Sequence, residues 1–288
     1  MISNDPKFPT HLVAGLLKSN MTKSSQLNRA ISGTQSLDRG ISVLKLVVAN
    51  NGHGLRLVDI VKHCGLERPT AHRILQELVK QSLVKRLVDT RRYVLGDYWY
   101  ELLVALSDRN DLRAICLPVL RNISSATGNS AFLVVRMGID SICIARTIGN
   151  YPIQVLSIRV GNRMPLGIGA GGLAILAEID EGERKLIYKA NQKRLQGFGN
   201  MNVPILKGLV KATKGRGHSV VGHYSVPGVI GIGIVLRNSQ NQVVGSITTA
   251  SIASCMTKAH QSQSANYVFE AIKTIQPKLD LLTPYVSE

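Results

Sequence analysis

The chain has 288 residues, of which 44% are hydrophobic, and its formal net charge at pH 7 is +17. This length suits two domains with buried cores, and such a charge favours a polyanionic partner. Because the sequence contains no run of 18 apolar residues and no convincing signal peptide, we expect a cytoplasmic protein that makes no contact with a membrane.

The N-terminal region changes character near residue 35. Residues 1–34 are predicted to form a disordered tail, in which Met1 and Met21 are alternative translation starts. Beyond it, apolar residues recur at the spacing of a helix: Leu37, Ile41, Leu44 and Val48. This helix is predicted to end at the turn signal Asn-Asn-Gly-His-Gly of residues 50–54.

Two short helical patterns follow, separated by a tight turn at residues 64–66. Gly65 suits the left-handed position after the first of these helices, and Pro69 suits the first turn of the second. The second helix has a buried stripe, which comprises Ala71, Ile74, Leu75 and Leu78. This pattern is typical of a helix-turn-helix.

The opposite face of the second helix is polar and basic, and it comprises Arg68, Thr70, His72, Arg73, Gln76 and Lys80. Such side chains can donate hydrogen bonds to phosphates and base edges, and Arg68 and Arg73 suit guanine or phosphate. A solvated helix face is the alternative interpretation, and Glu77 argues against a purely electrostatic role.

A basic hairpin is predicted next, with short strands at 83–87 and 92–95 and Arg91 and Arg92 near its tip. The alternative for both arginines is an ordinary hairpin surface. Residues 97–110 are predicted to form a linker helix whose apolar side comprises Trp99, Leu102, Leu103 and Leu106. This side is a candidate dimer seam, unless it packs within its own chain.

The second half of the chain predicts an α+β domain with an antiparallel sheet, because strands stand before and after a block of helices. The predicted strands are 130–137, 141–148, 153–160, 218–224, 229–237 and 243–250. The predicted helices are 112–127, 167–178, 181–193, 203–214 and 258–282, the last of them interrupted near Pro277.

The glycine-rich segment 167–172 precedes a helix, where free amides favour an anion. It lacks the Lys-Ser/Thr ending of a phosphate-binding loop and the parallel strands of a dinucleotide-binding fold, and close helix packing is the alternative. The four cysteines are expected to be free thiols, because they show no metal-binding spacing: Cys64, Cys116, Cys143 and Cys255. No metal or cofactor is expected.

The basic charge is unevenly distributed. Residues 35–112 carry twelve basic and nine acidic side chains, whereas residues 113–288 carry nineteen basic and eight acidic ones. Charge alone therefore supports a nucleic-acid partner without placing the contact in the helix-turn-helix.

Five motifs in order resemble the IclR family of bacterial transcription regulators. They are Gln35-Ser36-Leu37-Asp38-Arg39-Gly40, Gly65-Leu66 with Thr70-Ala71-His72-Arg73-Ile74-Leu75, Arg92-Tyr93-Val94-Leu95-Gly96, Met164-Pro165-Leu166 with Gly169-Ala170-Gly171, and Val226-Pro227-Gly228-Val229. The resemblance covers about residues 35–284.

The resemblance implies an N-terminal winged helix-turn-helix domain, mainly α, and a C-terminal α+β effector domain with a GAF-like fold. The expected boundaries are 1–34 for the tail, 35–96 for the winged domain, 97–111 for the linker helix and 112–288 for the effector domain. It further implies a homodimer or a dimer of dimers that represses or activates a catabolic operon. Such a regulator would lie on the nucleoid when bound to double-stranded operator DNA.

The candidate sites follow from these motifs. The predicted DNA contacts are Arg39, Arg68, Thr70, His72, Arg73, Gln76, Arg91 and Arg92. The positions that match the family's effector pocket are Leu156, Met164, Gly169, Ala170, Val221, Val229, Gly231, Thr248 and Ala250. This mostly apolar set favours a small organic acid with an aromatic or aliphatic body, for which Thr248 is the clear polar handle. Some relatives have an acidic residue at the position of Val221, and this departure argues against a metal site.

Two other classes of protein are the alternatives. A small-molecule enzyme would need a nucleophile such as Cys143 or Cys255, or Ser219 or Ser225 beside His223, but no recognisable triad spacing or G-x-S-x-G motif occurs. A structural or RNA-binding protein is disfavoured because no aromatic stacking platform is evident.

Overall fold

The computed structural model describes residues 34–107, 112–155 and 158–282, with the backbone alone at 103–107. The predicted N-terminal tail lies outside the described residues. The chain divides into two compact units between residues 108 and 109, a point inside the predicted linker 97–111. Each unit is described by itself.

The first unit has four helices and a two-stranded hairpin among its described residues. They are α1 (Gln35–Ala49), α2 (Leu57–Cys64), α3 (Arg68–Lys80), β1 (Val84–Arg86), β2 (Tyr93–Leu95) and α4 (Tyr98–Ser107). Gly65 adopts the predicted left-handed conformation after α2, with φ of 60°, and Pro69 lies in the first turn of α3. The predicted winged helix-turn-helix is therefore confirmed, with residues 84–95 as the wing.

The core of this unit joins the three helices to the wing. Val43, Leu46, Ile60 and Leu75 are all at most 2% exposed, and Tyr93 of β2 packs against them. Tyr93 also exchanges two backbone hydrogen bonds with Leu55, of 3.0 and 2.7 Å. The wing is thus fixed to the turn between α1 and α2, and not only to its own hairpin.

The linker helix begins against this same unit. The indole Nε1 of Trp99 donates to the carbonyl oxygen of Leu83 at 2.8 Å. Trp99 is therefore engaged within its own chain, which favours the alternative to a dimer seam for this residue. Leu102 is half-buried and Tyr100 is 68% exposed, whereas the side chains of Leu103 and Leu106 lie outside the described residues.

The second unit contains an antiparallel sheet of six strands in the order β5-β4-β3-β8-β7-β6. The strands are β3 (Ser130–Met137), β4 (Asp140–Thr147), β5 (Arg163–Pro165), β6 (Ser219–Gly222), β7 (Val229–Arg237) and β8 (Val243–Ile252). The helices are α5 (Leu112–Thr127), α6 (Ala170–Glu178), α7 (Glu181–Leu195), α8 (Val203–Arg216), α9 (Lys258–Lys273) and α10 (Gln276–Leu279).

The sheet separates two hydrophobic cores, as the alternation of side chains along each strand requires. On one face, Leu133 and Ile247 pack with Leu120 of α5 and Val268 of α9. On the other face, α6 lies against the sheet and is covered by α7 and α8, with eight of its nine residues buried. The predicted α+β class and antiparallel sheet are confirmed.

One predicted strand is wrong. Residues 153–160 do not form a strand in their described part; the edge strand is β5, at 163–165. The side chain of Gln154 explains the difference, because it donates to the carbonyl of Tyr151 at 2.6 Å and accepts from the hydroxyl of Ser130 at 2.9 Å. These bonds replace a strand ladder. The predicted interruption of the C-terminal helix near Pro277 is confirmed, because α9 ends at Lys273 and α10 begins at Gln276 with Pro277 in its first turn.

Candidate DNA-binding face and ligand cavity

The exposed face of α3 has the composition predicted for a DNA reader. Ala71 and Leu75 are fully buried in the core. The polar residues on the other side of α3 are mostly exposed, with Thr70 half-buried: Arg68, Thr70, His72, Arg73 and Gln76. The helix therefore presents its N-terminal half, where base contacts are made in helix-turn-helix proteins.

An open groove of about 730 Å³ lies between the start of α3 and the wing. Its walls are Arg56, Leu57, Val58, Arg68, Pro69, His72, Arg86, Asp89, Thr90, Arg91 and Tyr93. Four of these residues are arginines and one is an acid, so the groove is strongly basic. We call it the reader groove.

Two arginines of the reader groove, Arg56 and Arg86, are not among the predicted DNA contacts. Arg56 precedes α2, and its backbone N–H donates to the carboxylate of Asp59 at 3.0 Å. Arg86 lies on β1 with its guanidinium carbon 5.7 Å from the ring centroid of Tyr93. The period-2 pattern of the wing could have identified Arg86, but nothing local in the sequence connects Arg56 with the wing.

The three arginines predicted to contact DNA from the wing and from α1 differ in exposure and in hydrogen bonding. Arg91 is exposed at the tip, with a left-handed φ of 54°. Arg92 is half-buried, and its Nη1 donates to the carbonyl oxygen of Gly54 at 2.9 Å. Arg39 is half-buried on α1. Arg92 therefore fastens the wing to the turn before α2, whatever else it contacts.

The second unit has a small cavity of about 30 Å³ between the start of α6 and the sheet. Its walls are Phe132, Val134, Ser141, Cys143, Ile158, Asn162, Met164, Gly169, Ala170, Gly171, Gly172 and Thr248. No charged side chain belongs to this lining. We call it the α6 cavity.

Glycines allow α6 to approach the sheet this closely. A Cβ on Gly171 would lie 2.6 Å from the Oγ1 of Thr248, and a Cβ on Gly233 would lie 2.5 Å from the carbonyl oxygen of Ala170. Ser219 of β6 fastens the helix start, because its hydroxyl donates to the same carbonyl at 2.6 Å. Gly169, the residue before α6, provides no side-chain cap for the first amides.

One buried polar atom of the α6 cavity is unsatisfied. Thr248 is 6% exposed, and its Oγ1 has no hydrogen-bond partner among the described residues. Leaving a buried hydroxyl unpaired costs free energy. This atom is therefore available to a molecule that enters the cavity.

The thiol of Cys143 contributes no charge to the cavity. Burial raises the pKa of Cys143 to about 11, although its Sγ contacts the carbonyl oxygen of Ala145 at 3.3 Å. A thiol with this pKa is neutral and weakly nucleophilic at neutral pH. The described residues also contain no cluster of three or more His, Cys, Asp or Glu that could hold a metal.

Matches to known families cover most of the chain. A model of the IclR helix-turn-helix domain matches residues 36–87, and a model of the C-terminal domain of bacterial transcriptional regulator IclR matches residues 104–277. The chain belongs to the IclR family. It is a DNA-binding transcriptional regulator, as the sequence predicts.

Relatives and solved structures agree with this identification. The transcriptional repressor IclR of Escherichia coli K12 is 25% identical over 195 residues, which cover 66% of this chain and 70% of that protein. The crystal structure of an IclR regulator from Alicyclobacillus acidocaldarius has a TM-score of 0.70 at 23% identity, covering 84% and 98% of the two chains. An IclR homolog from Microbacterium hydrocarbonoxydans, complexed with 4-hydroxybenzoate, has a TM-score of 0.68 at 20% identity, covering 85% and 99%.

The positions carried over from the IclR family's effector pocket are spread around the α6 cavity. Met164, Gly169, Ala170 and Thr248 line it. Val229 and Ala250 pack with the cavity residues Phe132 and Cys143. A Cβ on Gly231 would lie 3.2 Å from the Cβ of Ala170. Val221 instead packs in the core beneath α6 and α8, and Leu156 lies outside the described residues.

Half of the cavity wall consists of residues that the sequence did not predict. Phe132, Val134, Ser141 and Cys143 line it from β3 and β4, and Asn162 lines it from the segment before β5. Alternation along the two strands, with Leu133 facing the other core, was the signal that could have found them.

Two arginines of the second unit form ion pairs. Ser219 and His223, which an enzyme would use, form hydrogen bonds within the fold. Arg136 pairs with Glu183, and Arg163 pairs with Asp140. Ser219 is committed to Ala170, and the Nδ1 of His223 accepts from the N–H of Gly228 at 3.3 Å.

The described helices are also relevant to a membrane. Within the described residues, no helix is long and apolar enough to cross a membrane.

Proposed function

We propose that this IclR-family regulator controls a catabolic operon and changes its affinity for operator DNA when a small carboxylate occupies the α6 cavity. The unsatisfied Oγ1 of Thr248 carries the proposal. It is buried close to the first turn of α6, where backbone amides without a side-chain cap favour an anion.

The walls of the cavity support the proposed class of ligand. Phe132, Val134, Ile158 and Met164 favour an apolar body, which an aromatic or aliphatic acid supplies. The polar side chains of the lining are neutral, so a cationic ligand would meet no counter-charge there. The homolog complexed with 4-hydroxybenzoate supports an aromatic acid in a protein of this fold.

The size of the cavity provides a coupling mechanism. A volume of about 30 Å³ holds a water molecule or two, which is far less than an organic acid requires. Binding therefore selects a form in which α6 and the strands beneath it lie further apart. A ligand that prefers one form shifts the equilibrium toward that form. We propose that the linker helix at 97–111 carries this shift to the winged domain at 35–96.

Operator recognition would use two copies of the chain. A single winged domain has a small footprint, and a two-fold dimer reads half-sites about 34 Å apart or a multiple of that distance. Leu37, Ile41 and Val48 form an exposed apolar stripe on α1, which supports a homodimer or a dimer of dimers. Light scattering on the purified protein measures this state directly, and a monomeric mass at micromolar concentration would contradict it.

Calorimetry tests the ligand class. Aromatic and aliphatic monocarboxylic acids are titrated into the full chain, with the corresponding neutral amides as controls. We expect acids to bind and amides to bind weakly. Thr248→Val, which keeps the shape of the side chain, should reduce acid affinity roughly 10- to 150-fold, the range for a hydrogen bond to a charged group. Binding of cations alone, or full affinity in Thr248→Val, would refute the proposed site.

A further inference from the structure

A long segment of the second unit contains no acidic residue. From Arg184 to Phe269 the sequence has eleven Lys and Arg and neither Asp nor Glu. Acids outside this segment pair with Lys185, Arg194 and Arg237, and no acid within the segment offsets its other basic side chains. Most of the protein's positive charge is therefore held outside the DNA reader.

This charge is concentrated on α7 and α8. Residues 181–216 carry nine basic and two acidic side chains, a net charge of +7. The reader unit over its described residues, 34–107, carries eleven basic and seven acidic side chains, a net charge of +4. Two helices thus hold more net positive charge than the entire described part of the reader unit.

The two helices lie side by side in opposite directions. The Nζ of Lys207 on α8 is 5.9 Å from the ring centroid of Tyr188 on α7. At the other end of the pair, Lys185, then Arg184, and then Lys214 from α8 lower the pKa of Glu181. The start of α7 therefore faces the end of α8.

The lysines form two rows on the solvent side of these helices. Both helices turn their apolar residues inward, with Ile187 and Leu195 of α7 and Leu206 and Val210 of α8 all buried. The rows are Lys185, Lys189 and Lys193 on α7, and Lys207, Lys211 and Lys214 on α8, and all six residues are exposed. We call this surface the α7–α8 basic face.

The two acids of this region leave most of the lysines without a counter-charge. Glu181 pairs with Lys185 at 2.8 Å, and Glu183 pairs with Arg136. Among the described residues, no ion pair involves Lys189, Lys193, Lys207 or Lys211. Like charges four residues apart on a helix destabilise it, so the fold retains a repulsion that a bound polyanion would relieve.

We propose that the α7–α8 basic face binds the phosphate backbone of duplex DNA, outside the part of the DNA held by the reader groove. Successive lysines in a row lie about 6 Å apart along the helix, and duplex DNA presents one negative charge for about every 1.7 Å of its axis. Lysine acts as a point charge rather than as a bidentate base reader. The contact is therefore independent of DNA sequence.

Duplex DNA is the ligand we favour for the α7–α8 basic face, because a DNA-binding regulator already binds it. Once the reader groove holds DNA, the adjoining duplex is present at a high effective concentration around the same molecule. An acidic protein would have to be recruited separately, and this basic face offers little apolar surface, with Leu186 its one large exposed apolar residue.

The test compares two variants of the full chain that remove the same number of positive charges. The first is Lys189→Gln, Lys207→Gln and Lys211→Gln, on the basic face. The control is Arg121→Gln, Lys258→Gln and Lys278→Gln, which are exposed residues of α5, α9 and α10 on the opposite side of the sheet. Affinity for a 60-base-pair duplex of random sequence is measured by fluorescence anisotropy between about 50 and 200 mM salt.

We expect the basic-face variant to bind at least about tenfold more weakly at 100 mM salt. The slope of log affinity against log salt should fall by up to about 2.7, or about 0.9 for each phosphate that the variant no longer neutralises. The control variant should keep a slope within about 0.5 of the wild type. Equal decreases in the two variants, or a wild-type slope in the basic-face variant, would overturn the proposal; the second result would be expected if the occupant were an acidic protein.

A third variant separates this inference from the proposed function, in which the reader groove holds the operator. Arg68→Ala with Arg73→Ala removes reader contacts and leaves the basic face intact. This variant should bind the duplex more weakly than the wild type. Adding the three lysine substitutions to it, five in all, should weaken binding further by the same factor as in the wild type. Failure of Arg68→Ala with Arg73→Ala to weaken binding would count against the reader and leave the basic-face result standing.

Discussion

The reader groove and the α6 cavity are opposites in size and charge. The groove measures about 730 Å³, is open to solvent, and has four arginines in its walls. The cavity measures about 30 Å³ and has no charged side chain in its lining. One region is already open to a polyanion, whereas the other must expand before any organic acid can enter.

Because of this difference, we expect different forces to control binding at the two sites. The proposed DNA binding at the groove would depend on charge, and salt should weaken it strongly. The proposed binding at the cavity would require α6 to move against a closely packed sheet, so small changes in volume should dominate. A substitution that affects one region should therefore leave the intrinsic binding of the other intact.

The largest effect is expected from adding one methyl group beneath α6. Gly171→Ala places a Cβ 2.6 Å from the Oγ1 of Thr248 and 2.7 Å from the Oγ of Ser246. We expect calorimetry to detect no acid binding, while operator affinity without ligand stays within about threefold of wild type. Gly208→Ala on α8 is the control, since its Cβ would have no neighbour within 4 Å. Normal acid binding by Gly171→Ala would show that the ligand binds elsewhere.

The next largest effect is expected at the reader helix. Arg73→Ala should weaken operator binding by roughly 1–3 kcal/mol, about 5- to 150-fold, if the guanidinium contacts a base directly. Lys80→Ala, at the exposed end of the same helix, is the matched control and should change affinity much less. Anisotropy at fixed salt measures both variants. Unchanged affinity in Arg73→Ala would remove this residue from the set of base contacts.

The sequence predicted the reader better than the cavity because the reader's signals are local. Gly65, Pro69 and the stripe of Ala71 and Leu75 all lie within one short segment, and period and turn chemistry suffice to place them. The predicted polar side of α3 therefore proved mostly exposed. Arg56 was not predicted as part of the reader groove because its proximity to the wing arises from tertiary packing.

The cavity is assembled from distant segments, so local patterns could not define it. Thr248 and Gly169 were found through the family resemblance, but Phe132, Cys143 and Asn162 come from other segments that only the sheet brings together. The predicted strand at 153–160 failed for a related reason. The hydrogen bonds of Gln154 to Tyr151 and Ser130 arise from tertiary packing and favour a bend over a strand.

A stability effect of intermediate size is expected where the wing meets the linker helix. A Cβ on Gly96 would lie 2.0 Å from the carbonyl oxygen of Ser82, so Gly96→Ala should destabilise the reader unit by roughly 1–3 kcal/mol through overpacking. The fluorescence of Trp99, the only tryptophan, measures this unfolding directly. Gly40→Ala on α1 meets no neighbour within 4 Å and should stabilise the unit by roughly 0.5–1 kcal/mol. A destabilisation of equal size in both variants would show that the close contact at Gly96 is not the cause.

The smallest effects distinguish the two arginines of the wing. Arg92 donates to the carbonyl of Gly54, so Arg92→Ala should lower the stability reported by Trp99 by roughly 0.5–1.5 kcal/mol, the net value of one hydrogen bond. Arg91 is exposed at the tip, so Arg91→Ala should leave that stability unchanged and reduce the salt slope of DNA binding by about 0.9. If Arg92→Ala instead changes the slope alone, its bond to Gly54 contributes nothing to holding the wing, and both arginines act as phosphate contacts.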